Sequence, residues 1–194
     1  TLGDTLDSLP GATGSGFGAT GGLLTQDATN GVRRLSGADY KTSIGDGQTA
    51  LDNVQLTSTG TPSLTETTTL ALDTIINSLS LNSTTVAGAN VQVTGAGKLT
   101  LNSGVIYANS LVATTASAIS NPIDFNAREG VVLLGGTANL TLSGVLSNTG
   151  GNGLTVYAPS RTLTLAGAAA NTYTGTTTIN AGSLVPLVIN NASW

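Results

Sequence analysis

Residues 171–184 read NTYTGTTTINAGSL, a run of threonines, an isoleucine and small polar residues that closes with an Ala-Gly pair. Threonine and isoleucine favour extended backbone, and glycine permits the tight turn that must follow a short strand. The preceding hundred residues repeat this succession of a short strand and a small-residue turn. We therefore predict that the stretch forms one turn of a stacked β-solenoid.

Short triplets upstream place apolar residues on both sides of a small polar residue. This alternation puts two apolar side chains on one face of an extended chain and the polar one on the other, as in a half-buried strand. Glycines and asparagines separate the triplets, where backbone turns are needed. The triplets predict seven strands, at residues 54–56, 79–81, 91–93, 99–101, 140–142, 154–156 and 163–165.

The triplets also recur over a longer interval of about 20 residues. In a parallel β-helix each strand stacks on the same strand one coil away, so interleaved series must advance together. An antiparallel sandwich is the alternative, and it gives no reason for the longer interval. The spacing predicts an all-β chain with about six coils between Leu70 and Leu187. The two main series are Leu79, Leu99, Ile119, Leu140, Leu163, Leu184 and Leu70, Val91, Leu111, Val132, Leu154, Thr177.

The composition excludes several classes of function. The 194 residues include no cysteine and no histidine, which rules out disulfides, thiolate metal sites and histidine acid–base catalysis. Only 8% of the residues are charged and the net charge is −4, so a nucleic-acid partner is not expected. No apolar run reaches the length of a membrane-spanning helix. No signal peptide is recognisable at Thr1, and we expect the chain to be a mature or trimmed product.

Charge and glycine content divide the chain into two regions. Eight of the ten acidic residues lie within residues 1–73, and residues 1–31 are rich in glycine with no helix or strand period. We predict a glycine-rich N-terminal arm or irregular cap over residues 1–50 and a parallel β-helix over residues 51–194. An arm that becomes ordered by docking on a neighbouring subunit is the alternative interpretation of residues 1–31.

The stretch 171–184 closely resembles the autotransporter-associated β-strand repeat, also called the passenger-associated transport repeat. That motif centres on Tyr-Thr-Gly, Thr-Thr-Ile-Asn, Ala-Gly and a leucine, and its upstream Gly-Thr-Leu-Thr-Leu is present here as residues 161–165 with an altered first position. The looser Leu-Ser-Leu and Leu-Thr-Leu pattern extends the likeness back to about residue 50. The resemblance implies a right-handed parallel β-helix in a secreted or surface-exposed bacterial protein, such as an adhesin or a fibre-like passenger.

One dense group of charged residues lies within the predicted helix, at Asp124, Arg128 and Glu129. Its surroundings, residues 126–130, are typical of a loop between coils, where an exposed ion pair contributes about 0–1 kcal/mol. Catalysis on a β-helix requires clustered acids on one face of the coils, and Glu66 and Asp73 are too isolated to supply them. We therefore expect a protein that is not an enzyme and has no cofactor and no metal.

Three tyrosines, Tyr107, Tyr157 and Tyr173, are candidates for stacking on sugar rings. Tyr173 belongs to the repeat motif, which favours packing at a corner of the coil. A carbohydrate-binding or carbohydrate-cleaving β-helix is therefore the alternative function.

The ends of a β-helix expose unpaired backbone groups unless they are capped. Residues 184–189 form an apolar run with no polar cap after them, which favours end-to-end association of copies. We predict subunit contacts at Leu184, Leu187, Ile189 and Trp194. The expected protein is an extracellular or bacterial cell-surface structural protein, either a surface passenger or a subunit of a self-assembling filament, with a cell surface or a glycan as a further candidate partner.

Overall fold

A computed structural model describes residues 7–13, 23–27, 31–45, 47–60, 64–83, 86–159, 161–180 and 188–189. These ranges contain β-strands and one short 3₁₀ helix, Gly37–Asp39, and no α-helix. The strands are β1 (Asp7–Thr13), β2 (Leu23–Asp27), β3 (Gly31–Arg34), β4 (Tyr40–Lys41), β5 (Asn53–Ser58), β6 (Thr65–Thr69), β7 (Thr74–Ser83), β8 (Asn90–Thr94), β9 (Leu99–Ile119), β10 (Ile123–Asp124), β11 (Gly130–Leu142), β12 (Leu146–Ser147), β13 (Leu154–Tyr157), β14 (Leu163–Leu165), β15 (Thr177–Asn180) and β16 (Val188–Ile189).

The coils stack along three parallel faces, and the middle coils have a strand on each. Face 1 is the ladder β4–β5–β7–β9–β11–β13–β15, in which every strand pairs in parallel with its neighbour. Face 2 contains β6, β8, the C-terminal parts of β9 and β11, β14 and β16. Face 3 contains the N-terminal parts of β7 and β9 together with β10 and β12. The fold is therefore a parallel β-solenoid of about five turns.

All seven predicted triplets lie in strands, and in each the two outer apolar residues are buried. The strands that carry them pair in parallel with strands of the next coil, so the alternative of an antiparallel sandwich is wrong for this part of the chain. The structure confirms the all-β solenoid class; the right-handed sense stays a prediction.

The coil is longer than the predicted interval of about 20 residues. Positions paired along face 1, from Asn53 to Thr178, advance by 25, 27, 26, 24 and 23 residues. The longer coils explain why the chain makes about five turns rather than about six.

In the C-terminal coils, successive members of each predicted series lie on the same face. In the earlier coils they lie on different faces. Leu140 pairs with Leu163 on face 2, as predicted. Leu79 and Leu99 were placed in the same series, which is wrong, because Leu79 stacks on Ile106 of face 1 whereas Leu99 lies on face 3. Since each coil carries several similar triplets, a step of about 20 residues moves from one face to the next.

A single hydrophobic core runs along the inside of the solenoid. One inward column on face 1 illustrates it, because five consecutive coils contribute a fully buried aliphatic side chain. Burying each such side chain stabilises the fold by about 1.5–3 kcal/mol. The column consists of Val54, Leu79, Ile106, Val132 and Val156.

Glycine is required at two corners of the coil. Gly104 and Gly136 have φ angles of 74° and 58°, in the left-handed region that other residues rarely adopt. A Cβ atom at Gly104 would overlap the carbonyl oxygen of Glu129, and one at Gly136 would overlap that of Ser110. These corners therefore stack backbone directly on backbone.

Strands β1, β2 and β3 form a separate antiparallel sheet, here called the N-terminal sheet. It lies over the outside of face 1, where β1 is closest to β9 and also approaches β7 and β11. Residues 1–31 show no strand period in the sequence, yet β1 and β2 lie there. β4, within the predicted cap of residues 1–50, already pairs with β5 of face 1.

Candidate functional site

Of the four predicted subunit-contact residues, only Ile189 falls within the described ranges. It belongs to β16 and is in register with Leu165 of β14, which places it at the C-terminal edge of face 2. Leu184, Leu187 and Trp194 lie outside the described residues. The contacts proposed for all four residues stay predictions.

The C-terminal edge of face 1 carries an apolar side chain that is only partly covered. Ile179 of β15 is in register with Val156 and continues the inward column, yet it is 43% exposed whereas Val156 is fully buried. Within the described part of the chain, β15 pairs with β13 alone. Among the described residues this edge therefore presents an apolar side chain and a strand that is paired on one side, the arrangement to which a further strand can add.

The N-terminal end of the solenoid is closed by a loop. Ile44 is 6% exposed and belongs to the main core, and the neighbouring Gly45 lies against Leu70. The side chain of Gln48 holds the loop, because its Oε1 accepts from Gly45 N at 2.8 Å and its Nε2 donates to Ser43 O at 3.1 Å. This loop lies within residues 1–50, the range over which an N-terminal arm or cap is predicted from the sequence.

The first strands of faces 1 and 2 carry charged or polar side chains at positions that are apolar in later coils. Lys41 is in register with Val54, and Glu66 is in register with Val91. Both charged side chains are exposed. Because charged residues at inward positions of an edge strand oppose further strand pairing, the N-terminal edge is protected against stacking of another copy.

The outside of face 1 has its own apolar surface, which the N-terminal sheet covers. Four outward side chains, here called the outer strip, are at most 5% exposed: Val105, Tyr107, Val131 and Leu133. Leu23 and Leu35 of the N-terminal segment pack on the strip and are themselves 0% and 4% exposed. Face 1 is therefore buried on both sides here, which explains the continuous apolar run 131–134.

Among the described residues, two buried polar atoms at the outer strip find no hydrogen-bond partner: Tyr107 Oη and Asn109 Oδ1. Both lie beside Gly135, where a methyl group would be 2.8 Å from Tyr107 Oη and 3.0 Å from Asn109 Oδ1. Burial raises the pKa of Tyr107 to about 12, and the positive charge of Arg34 opposes this rise. Because each unpaired buried polar group costs about 1–3 kcal/mol, the covered surface is imperfectly complementary.

The segment that joins the N-terminal sheet to the solenoid, Ser36–Asp39, is here called the hinge. The Asp39 carboxylate accepts hydrogen bonds from both Arg33 guanidinium nitrogens, at 2.6 and 2.7 Å. It also accepts from Ser36 N at 2.7 Å and from Ser36 Oγ at 2.8 Å. The Arg33 hydrogen bonds hold the pKa of Asp39 well below its usual range. One carboxylate thus fixes the end of β3 and the fold of the hinge.

The charged residues considered for catalysis do not converge. Asp124 is buried on face 3, where its Oδ1 accepts from Asn126 N at 2.9 Å and its Oδ2 lies 3.6 Å from Lys98 Nζ. Glu129 is exposed and accepts from Thr155 Oγ1 at 2.5 Å. The turn predicted around residues 126–130 is present, with Asn126 at a φ of 55°. Among the described residues no three acidic side chains are placed to hold a metal ion.

The three tyrosines have different surroundings. Tyr107 is 3% exposed beneath the N-terminal sheet and is unavailable to a sugar ring. Tyr173 packs against the main core, as the corner interpretation predicts, and its hydroxyl lies 2.8 Å from Thr177 Oγ1. Tyr157 is partly buried beside the outer strip.

A shallow cleft lies at the N-terminal end of the solenoid. Its two carboxylates are already engaged, Asp39 by Arg33 and Asp52 by Thr49. It therefore offers no free acid–base pair. The cleft is lined by Ala38, Asp39, Tyr40, Lys41, Leu51, Asp52 and Asn53.

No protein-family model, curated protein or solved structure matches this chain. Its class is therefore defined by the fold, as a parallel β-solenoid with a second apolar layer under an N-terminal sheet. No helix among the described residues is long and apolar enough to span a membrane. Membership of the autotransporter-associated repeat family stays a prediction from residues 161–184.

Proposed function

We propose that this chain is a non-catalytic structural protein of the bacterial cell surface or extracellular space, a solenoid module of the passenger or adhesin type. The observation that carries the proposal is the composition of the coils. Their inward positions form one continuous apolar core, and the acidic residues of the described coils are dispersed over separate faces and loops. Such a molecule offers a stable, extended surface rather than a reaction site.

The sequence supports an exported protein in two ways. Residues 171–184 resemble a repeat of surface-exposed passengers, and the absence of cysteine suits a chain that crosses a membrane before it folds. The low charged fraction of 8%, with threonine, serine and asparagine in its place, is unusual for an ordinary globular domain. Together these features favour the surface role.

Self-association is the second part of the proposal. The two solenoid ends differ, since the N-terminal edge carries Lys41 and Glu66 at inward positions and the C-terminal edge carries the partly exposed Ile179. Joining these ends head to tail would bury Lys41 against the apolar column that ends at Ile179 on face 1 and would bury Glu66 on face 2, at a considerable desolvation cost. The geometry therefore favours self-association through a surface other than a simple head-to-tail joint.

The proposed surface role is tested on cells that make the native protein. We expect protease added to intact cells to cleave it, while a cytoplasmic marker remains intact. Retention inside the cell would overturn the surface assignment.

The structural role is tested separately with the purified chain and a panel of polysaccharides. We expect no release of reducing ends, because Asp124 and Glu129, the densest acidic group of the coils, are engaged by separate partners, Asn126 and Thr155, whereas glycoside cleavage needs two cooperating carboxyl groups. Turnover of any polymer would favour the alternative of a carbohydrate-cleaving β-helix. Specific binding on a glycan array at micromolar affinity would favour the carbohydrate-binding alternative, for which buried Tyr107 offers little support.

A further inference from the structure

The N-terminal sheet covers the outer strip with one of its faces and leaves the other to solvent. Leu23 and Leu35 face the strip, whereas Val32, on the opposite side of β3, is 59% exposed. The sheet continues into the solenoid only through the hinge, Ser36–Asp39. It is therefore a separate layer, attached by one short segment to an apolar surface that must be covered.

The contacts between the sheet and the strip do not depend on which copy of the chain supplies the sheet. A second copy presents the same Leu23 and Leu35, so its sheet fits the outer strip equally well. The unpaired Tyr107 Oη and Asn109 Oδ1 weaken the contact and lower the free energy needed to lift the sheet.

The hinge decides between the two arrangements. In the folded monomer it is bent, and Asp39 fixes the bend through Ser36 N and Ser36 Oγ. Fully extended, the five steps from Leu35 to Tyr40 span at most about 17 Å. An extended hinge therefore directs the sheet away from its own strip and toward a neighbouring molecule.

We propose that two copies of this chain exchange their N-terminal sheets, so that the sheet of each copy covers the outer strip of the other. The partner is thus a second copy of the chain, joined side by side through face 1. This inference rests on the self-association in the proposed function and names its surface. It leaves both solenoid ends unchanged, in keeping with the protected N-terminal edge at Lys41 and Glu66.

Complementation between two full-length variants tests the exchange. Leu23→Asp places a charge on the N-terminal sheet and leaves the outer strip intact. Val131→Asp places a charge in the outer strip and leaves the N-terminal sheet intact. Only in a mixed dimer can an intact sheet, from the Val131→Asp copy, cover an intact strip, on the Leu23→Asp copy. By native mass spectrometry we expect mixed dimers at least about tenfold above either self-pair, and equal amounts of all dimers would overturn the exchange.

A hinge pair provides the second measurement. Deleting Gly37 and Ala38 removes the bend, so the sheet cannot return to its own strip, and we expect a dimer by light scattering at micromolar concentration. The matched control inserts two glycines after Gly37 and should form less dimer than the deletion variant at the same concentration, because a longer hinge permits closure. A monomeric, folded deletion variant would overturn the proposal, as would a dimer that persists when Leu23→Asp is added.

These outcomes are distinguishable from those of the proposed function. Failure of complementation removes the exchange and leaves the surface role intact. Protection of the native protein inside cells removes the surface role and does not affect the dimer measurements.

Discussion

Asp39 illustrates how a single side chain can fasten one layer of the molecule to another. Its side chain is 7% exposed and accepts four hydrogen bonds, two from Arg33 and two from Ser36. Hydrogen bonds to a carboxylate favour its ionised form, which is why its pKa is held so low. The sequence places Arg33 and Asp39 six residues apart, and only the bend of the hinge brings them together.

The ionisation of Asp39 makes part of the stability depend on pH. The pKa is lower in the folded state than its ordinary value of 3.8, so the stabilisation is fully present above about pH 4. It decreases as the pH falls below 3.8 and is lost once the pH passes through the folded-state pKa. We expect Asp39→Asn to reduce the free energy of unfolding by about 1–2 kcal/mol at pH 7. The difference from wild type should shrink in urea titrations below pH 3.8, and a constant difference would contradict the assignment.

Gly136 tests the requirement for glycine at a corner. Gly136→Ala would place a Cβ atom against the Ser110 carbonyl oxygen at a φ of 58°. We expect a loss of about 1–3 kcal/mol in the free energy of unfolding from the backbone strain. The control is Gly37→Ala, where a Cβ atom would meet nothing within 4 Å and φ is not positive. Equal midpoints of thermal unfolding for the two variants would show that the corner can relax.

The edge strand β6 carries polar side chains that oppose pairing with a strand of another molecule. Its Glu66 and Thr68 occupy positions that Val91 and Val93 fill one coil later. An edge strand with apolar inward positions would be a template for another chain.

Replacing both residues by valine should convert this edge into an association site. We expect Glu66→Val with Thr68→Val to raise light scattering several-fold at fixed concentration, because the new edge matches the inward pattern of a β-strand. The matched control is Thr67→Val, whose side chain points outward on the same strand and should leave scattering unchanged. Equal behaviour of the two variants would mean that polarity does not protect β6.

The sequence pattern predicts the positions of the solenoid strands. It predicts correctly only some of the pairs of strands that stack on each other. The triplets identified strands because period-2 alternation reflects burial of alternate side chains. Coil length was underestimated because Leu79 and Leu99, on different faces, carry the same local pattern. β1 and β2 were missed, since the glycines and threonines around Leu23 hide their alternation. The predicted contact residues Leu184, Leu187 and Trp194 fall outside the described ranges.

Across the whole molecule, stability should vary with position along the axis. In stacked repeats each coil is stabilised mainly by its two neighbours. An end coil has one neighbour, so truncating a side chain there should reduce the free energy of unfolding by less. Val132→Ala removes a fully buried side chain in a middle coil, and we expect a loss of about 2 kcal/mol. Ile179→Ala, at a side chain that is 43% exposed, should cost less than half as much although it removes more atoms. Urea midpoints measure both, and equal losses would indicate that Ile179 is covered.

The parallel pairing of strands one coil apart, described for all three faces, also determines how the molecule responds to force. Its ladder hydrogen bonds run along the axis and its strands run across it. Tension applied between the two ends therefore breaks the hydrogen bonds between one pair of neighbouring coils at a time. It does not load the hydrogen bonds of all coils simultaneously. Each detached turn of about 25 residues would release a contour length of about 85 Å. The protein is therefore expected to yield progressively, one turn at a time, when it is pulled lengthwise.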